Sequence, residues 1–135
     1  MSFAPSGQDR GAQVAHLRHE LLTHVNHVLG FTEMQLEEEA ESRLRDYRPA
    51  MAEIHAGGRN LLAIIERELE GGGVSADLVE LDRRLTAEAR PALYQVRSLA
   101  GQLRDAGLDS AAEEMDLVSG ALQGLIATSH QMAQI

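Results

Sequence analysis

Apolar residues recur along this chain at spacings of three and four, the period of one buried face of a helix. No segment alternates polar and apolar residues as a half-buried strand would. The first run holds Val14, Leu17, Leu21, Val25 and Val28, with Phe31 continuing the stripe, and predicts a helix over about 11–40. Residues 1–10, with Pro5, Ser6 and Gly7, have no period and read as a flexible arm. The acidic run Glu37-Glu38-Glu39 opposes the helix dipole, so the end of this helix is expected to fray.

Residues 41–46 are expected to turn, with Asp46 as N-cap and Pro49 in the first turn of a second helix that runs to about Glu70. Its stripe is Met51, Ile54, Gly58, Leu61 and Ile65. Gly57 and Gly58 weaken a helix by roughly 1 kcal/mol each, which predicts close approach of a neighbouring helix. Gly71-Gly72-Gly73 opens a linker over 71–75, after which Ser75 or Asp77 can cap a third helix over about 76–106. Leu78, Leu81, Leu85, Ala92, Val96, Leu99 and Leu103 form its apolar face, Pro91 predicts a kink, and Gly107 a C-terminal cap. Ser110-Ala111-Ala112-Glu113 has the form of a capping box for a fourth helix over about 111–133. Its stripe is Met115, Val118, Leu122, Leu125, Ser129 and Met132. Met34, Met51, Met115 and Met132 are expected to fill the core.

The stripe of the second helix maps onto that of the fourth at a constant offset of 64 residues; the first and third helices match less well. The fold class expected is all-α: an antiparallel four-helix bundle of two hairpins, residues 11–70 and 76–135, joined at the glycines.

Composition narrows the chemistry. With 135 residues and no cysteine, the chain is one domain without a disulfide framework, thiolate zinc site or thiol nucleophile. A net charge of −9 and few aromatics argue against nucleic acid and anionic membrane surfaces as partners. No apolar run has the ~20 residues of a membrane span and no signal peptide opens the chain, so a cytoplasmic location is expected. The chain ends at Ile135 without a clear stop signal, which leaves a longer protein open.

One exposed helical face carries reactive groups. His19 lies ~200° around the first helix from Leu17, on the solvent side, with Thr23, Asn26 and Gly30 following it. A histidine there has a nucleophilic ring nitrogen at neutral pH. Glu20 beside it can hold the ring tautomer or take its proton, and Thr23 brings a hydroxyl one turn on. His16, Glu20, His24 and His27 share a stripe whose spacing also suits metal ligands, with His55 and His130 as further candidates. The matching Glu-X-X-His motifs of a di-metal bundle are missing, so no metal site is expected. His24 is expected at the core edge, and His16 and His27 on the surface.

His19-Glu20-Leu21-Leu22-Thr23-His24-Val25-Asn26-His27-Val28-Leu29-Gly30-Phe31 resembles the phosphoacceptor box of sensor histidine kinases, typically His-Glu-Leu-Arg-Thr-Pro-Leu-Asn followed by an apolar run and Gly-Phe. Ile54-His55-Ala56-Gly57-Gly58-Arg59-Asn60-Leu61-Leu62 is similar to the second helix of the same dimerization and phosphotransfer domain. The resemblance covers residues ~12–70. It implies that His19 carries a phosphoryl group, that Glu20 is the general base and that Thr23 positions water in dephosphorylation. Two positions depart from the family pattern: Leu22 stands for its arginine and His24 for its proline.

Residues 71–135 hold none of the Asn- and Gly-rich boxes of the family's ATP-binding domain, so no ATP-dependent kinase activity is expected of the chain itself. The second hairpin resembles a degenerate copy of the first, which implies a monomeric pseudo-dimer rather than a homodimer. The implied function is a histidine phosphotransferase-like module of a two-component phosphorelay. Its partners would be a response-regulator receiver domain, which supplies magnesium, and a histidine kinase. No cofactor is expected in the chain. The docking surface expected around His19 comprises His16, Leu22, Asn26 and His27, with Leu62 of the second helix. The alternative is a docking or inhibitory module that does no chemistry.

Overall fold

The computed structural model describes residues 7–37, 42–73 and 76–135. Four helices, α1 (Gly7–Glu37), α2 (Arg48–Glu68), α3 (Leu78–Asp105) and α4 (Asp109–Ala133), form an antiparallel four-helix bundle. Each helix packs against its neighbours in sequence, and α4 closes the ring on α1. No described helix is long and apolar enough to cross a membrane.

The apolar stripes account for the core. Val14, Leu21, Val25 and Val28 of α1 are fully buried, as are Met51, Ile54, Leu61 and Ile65 of α2. Their counterparts Leu85, Val96 and Leu103 of α3 and Met115, Leu122 and Leu125 of α4 complete the same cluster. Leu17 and Phe31 sit half-buried at its edge. Met34 is 56% exposed, against the expectation that it fills the core. It lies past Phe31, on the solvent side of the last turns of α1, where Thr32 and Gln35 point inward instead.

Burial follows the 64-residue offset through the whole bundle, α1 and α3 included. Val14, Leu21, Val25 and Val28 are buried, and so are Leu78, Leu85, Ala89 and Ala92. On the outer face, His19, Asn26 and Gly30 are exposed, and so are Arg83, Arg90 and Tyr94. The poorer match of these two helices lies in residue identity and not in placement.

The ends of the elements differ from their sequence signals. α1 begins at Gly7, so helix takes up part of the expected arm; residues 1–6 lie outside the described residues. α1 ends at Glu37, and Glu38, Glu39 and Ala40 also lie outside them. The turn over 41–46 contains a 3-10 helix, Ser42–Tyr47, that leads straight into α2. Asp46 is therefore not the N-cap: Tyr47 holds that place without a side-chain cap, and Pro49 stands in the first turn as expected. α2 stops at Glu68, and the chain turns through Gly71 and Gly73, both at positive φ. Asp77 caps α3, accepting from the Glu80 N–H at 3.1 Å; Ser75 lies outside the described residues.

α3 runs unbroken through Pro91, which is exposed. At its end Gly107, at φ 77°, donates to the Arg104 carbonyl, and Leu108 donates to the Leu103 carbonyl at 2.8 Å. This paired closure needs a left-handed residue and brings two buried leucines together. It also puts Leu108 at the start of α4, so Ser110 lies inside the helix and makes no capping box. The side chains of Arg48 and Arg43 donate to the carbonyls of Leu36 and Ala106 at the ends of α1 and α3.

Gly58 fulfils the close-approach expectation. A Cβ there would lie 3.0 Å from Leu29 Cδ2 and 3.1 Å from Val28 Cγ1. At Gly57 it would meet only Ala92 Cβ, at 3.8 Å.

Candidate functional site

Three strips run along the outer half of α1. The strip toward α4 carries His16, Glu20 and His24: His16 and Glu20 line a groove with Gln131 and Ile135, and His24 lies across Gly124. The strip toward α2 carries Arg18, which lines a groove with Glu66 and Leu69. That antiparallel register puts Leu22 level with Leu62 one turn along, and both are half-buried against the core. Between these strips His19, Thr23 and Asn26 face solvent. The structure thus brings His16, His19, Glu20, Leu22, Thr23 and Asn26 onto one accessible surface with Leu62 at its edge. His27 is exposed one turn further, its ring tilted 48° to Phe31 at 6.1 Å.

Contacts within the site depart from the simplest reading of the sequence. Glu20 does not hold the His19 ring; its Oε1 lies 3.1 Å from Nε2 of His16. Successive helical residues diverge by ~100°, whereas residues four apart share a face. Thr23 donates its hydroxyl to the His19 carbonyl at 2.9 Å, the ordinary resting bond of a helical threonine. Among the described residues the His19 imidazole has no hydrogen-bond partner. The result is a solvent-facing imidazole in mid-helix, with the Glu20 carboxylate bonded to His16 and the Thr23 hydroxyl to the backbone beneath it.

His24 sits at the core edge, as its position predicts. Burial holds its ring below the ordinary histidine pKa of 6.5; Glu20 works against this and His27 adds to it. A Cβ on Gly124 would lie 2.5 Å from Cε1 of His24. Gly124→Ala is therefore expected to push the ring outward, raising its pKa toward 6.5. The ring can swing aside and alanine is the better helix former, so the stability change should stay within about 1 kcal/mol. Titration of the His24 ring by NMR in the two proteins checks this, and an unmoved pKa would count against the packing described.

The sequence reading missed a second polar cluster, on the α3–α4 face. Asp82 Oδ1 accepts from Ser129 Oγ at 2.6 Å, from His130 Nδ1 at 2.7 Å and from Thr86 Oγ1 at 3.3 Å. Ser129, a polar residue in an apolar stripe, was the available signal, but its partner lies 47 residues away. The three residue types of a hydrolase triad are present without its geometry. Ser129 is buried and bonded to the carboxylate rather than to the imidazole.

Burial works to raise the Asp82 carboxyl, but hydrogen bonds from Ser129 and His130 outweigh it, and the pKa falls below the ordinary 3.8. A depressed carboxylate pKa contributes stability that is present above 3.8 and lost as the pH falls below it through the folded value. Asp82→Asn should therefore cost more stability at pH 7 than at pH 2. Thermal unfolding at the two pH values measures the difference, and equal losses at both would overturn the assignment.

Among the described residues, no group of three or more His, Asp or Glu side chains is placed to hold a metal ion. Comparison with protein-family models, with characterised proteins and with solved structures finds no match to this chain.

Proposed function

We propose that the chain is a histidine phosphotransfer module in which His19 exchanges a phosphoryl group with the aspartate of a response-regulator receiver domain. The observation that supports this most is His19 itself. It is an exposed imidazole without a partner among the described residues, in mid-helix on a packed bundle, with Glu20 and Thr23 within one turn. Bundle packing fixes the backbone beneath it, so the ring alone needs to be oriented for attack.

In the transfer, a His19 ring nitrogen attacks the phosphorus of the acyl phosphate. The bond from phosphorus to the aspartyl oxygen breaks, and the carboxylate leaves with the electron pair. The proton on the other ring nitrogen passes to Glu20 or to water. Magnesium belongs to the receiver. The partner rests on the accessible strip, with Asn26 and His16 near the histidine and Leu22 and Leu62 as apolar contacts. The repeat in burial favours one chain acting as both halves of a pseudo-dimer, as a monomer in the cytoplasm.

The test charges receiver domains from the same genome with labelled phosphate and follows the label onto this protein. Acid-labile, alkali-stable label at His19 on the wild type and its loss from that position in His19→Ala is the expected result. A histidine kinase's ATP-binding domain serves as the second donor. Absence of label at His19 from every donor, with binding to a receiver retained by His19→Ala, would replace this reading with that of a docking or inhibitory module.

A further inference from the structure

The α3–α4 face holds an imidazole already oriented for chemistry. A carboxylate only accepts hydrogen bonds, so the 2.7 Å contact from His130 Nδ1 to Asp82 Oδ1 places the ring proton on Nδ1. In the neutral ring Nε2 then carries the free electron pair. The ring is half-exposed, and no hydrogen bond holds Nε2 among the described residues. Asp82 is itself fixed by the buried Ser129 and by Thr86, so the orientation belongs to the fold and not to a chance surface pair.

The surroundings suit an anion. His130 lines a shallow groove with Thr86, Arg83, Arg90 and Pro91, together with the carboxylates of Glu80 and Asp82. Arg83 is held by Glu80 at 2.6 Å, while Arg90 has no ion pair among the described residues. Glu80 offsets Arg83 and Asp82 is taken up by its hydrogen bonds, so Arg90 is the guanidinium of this groove left to meet an anion. Val79, 65% exposed, also lines the groove, and Tyr94, 69% exposed, follows Arg90 one turn further along α3. By the 64-residue offset this is the face equivalent to that of His19, whose counterpart is Arg83. The equivalent face lacks a histidine on α3, and α4 supplies one.

We propose that Nε2 of His130 is a second phosphoryl-acceptor atom of this chain, taking its group from an activated donor of the acyl phosphate or phosphoramidate class. Nε2 attacks phosphorus and the bond from phosphorus to the leaving group breaks. A carboxylate or ammonia departs with that electron pair. The ring proton on Nδ1 passes to Asp82 and on to water. Asp82 is the positioning residue, and Arg90 lines the groove that the phosphoryl oxygens would enter.

The experiment treats the full chain with potassium phosphoramidate near neutral pH and maps phosphohistidine by mass spectrometry, with 31P NMR to separate the Nε2 from the Nδ1 isomer. His130 should be labelled at Nε2 at least about tenfold faster than His16 and His27, exposed rings without a fixed carboxylate on Nδ1. Asp82→Asn should keep the Nε2 isomer and lose the rate advantage; Asp82→Ala should lose both. Circular dichroism verifies that each variant is folded, and loss of the advantage in urea provides the same check without mutation.

Labelling at His130 no faster than at His16 and His27, or at Nδ1 in the wild type, would overturn the proposal. The His19→Ala protein should give the same result at His130, so this outcome stands apart from the fate of His19. A parallel arm offers that variant the aspartyl phosphate of a receiver. Label at His130 would make the source protein-borne, and its absence alongside phosphoramidate labelling would make it a small phosphate.

Discussion

Glu20→Gln is expected to slow phosphoryl transfer to His19 by about a hundredfold, the lower range of what a positioned proton acceptor contributes. Glutamine keeps the shape and can still orient an N–H, but it cannot take the proton that leaves the ring as the nitrogen attacks. In the resting structure Glu20 pairs with His16, so its carboxylate must rotate toward His19 to act. That competition is weak: exposed pairs four residues apart on a helix are worth about 0.3–0.5 kcal/mol. Removing it with His16→Asn should raise the rate only about twofold, since 1.36 kcal/mol corresponds to a factor of about ten. The measurement is the rate of label transfer from a charged receiver to each variant. A Glu20→Gln protein as fast as the wild type would make Glu20 a surface residue and leave proton removal to water. A large gain from His16→Asn would mean that the His16 contact is a gate rather than a resting pair.

Leu122→Ala should have the largest effect on stability. Leu122 is fully buried among α4's inward residues, and removing its side chain leaves a cavity between packed helices. Such changes cost about 2–5 kcal/mol, against a total of about 5–15 kcal/mol for a domain. The equivalent position in the first hairpin is Gly58, also buried. There Val28 and Leu29 occupy the space that a side chain would take, so the two halves fill the same layer in different ways. Gly58→Leu should therefore destabilise as well, by about 1–3 kcal/mol from overpacking. Urea denaturation of both variants tests the pair. A neutral Gly58→Leu would show that Val28 and Leu29 can repack freely, and the layers would then be interchangeable.

The number of helices, most of their inward residues and the close approach at Gly58 were legible because a period near 3.6 is written into the residue types themselves; Met34, outside where Thr32 and Gln35 turn in, was the exception. The Asp77 cap of α3 was legible too, but the starts of α2 and α4 were not. Asp46 and Ser110 have the right side chains for caps, but each lies where the preceding turn already directs the chain. The 3-10 turn runs into α2 through Tyr47, and the left-handed Gly107 delivers Leu108 directly to α4. Capping signals describe what a side chain can do, and backbone geometry decides whether the end is still open. The same distinction holds at the site. That His19 faces solvent follows from its angle to Leu17, whereas the pairing of Glu20 with His16 follows from i,i+4 spacing, which neighbouring residues in sequence obscure. The Asp82–Ser129–His130 cluster joins residues 47 and 48 apart, so only the packing of α3 on α4 reveals it.

Closure of the helical ring by α4 on α1 has a thermodynamic consequence. The layers of the core come from one polypeptide, so the unfolding midpoint is expected to carry no dependence on protein concentration, unlike that of an obligate pair of hairpins from two chains, and a midpoint that rises with concentration would count against a monomeric bundle. The face that carries His19 is built from helices of one chain, and on that expectation dilution would leave it intact.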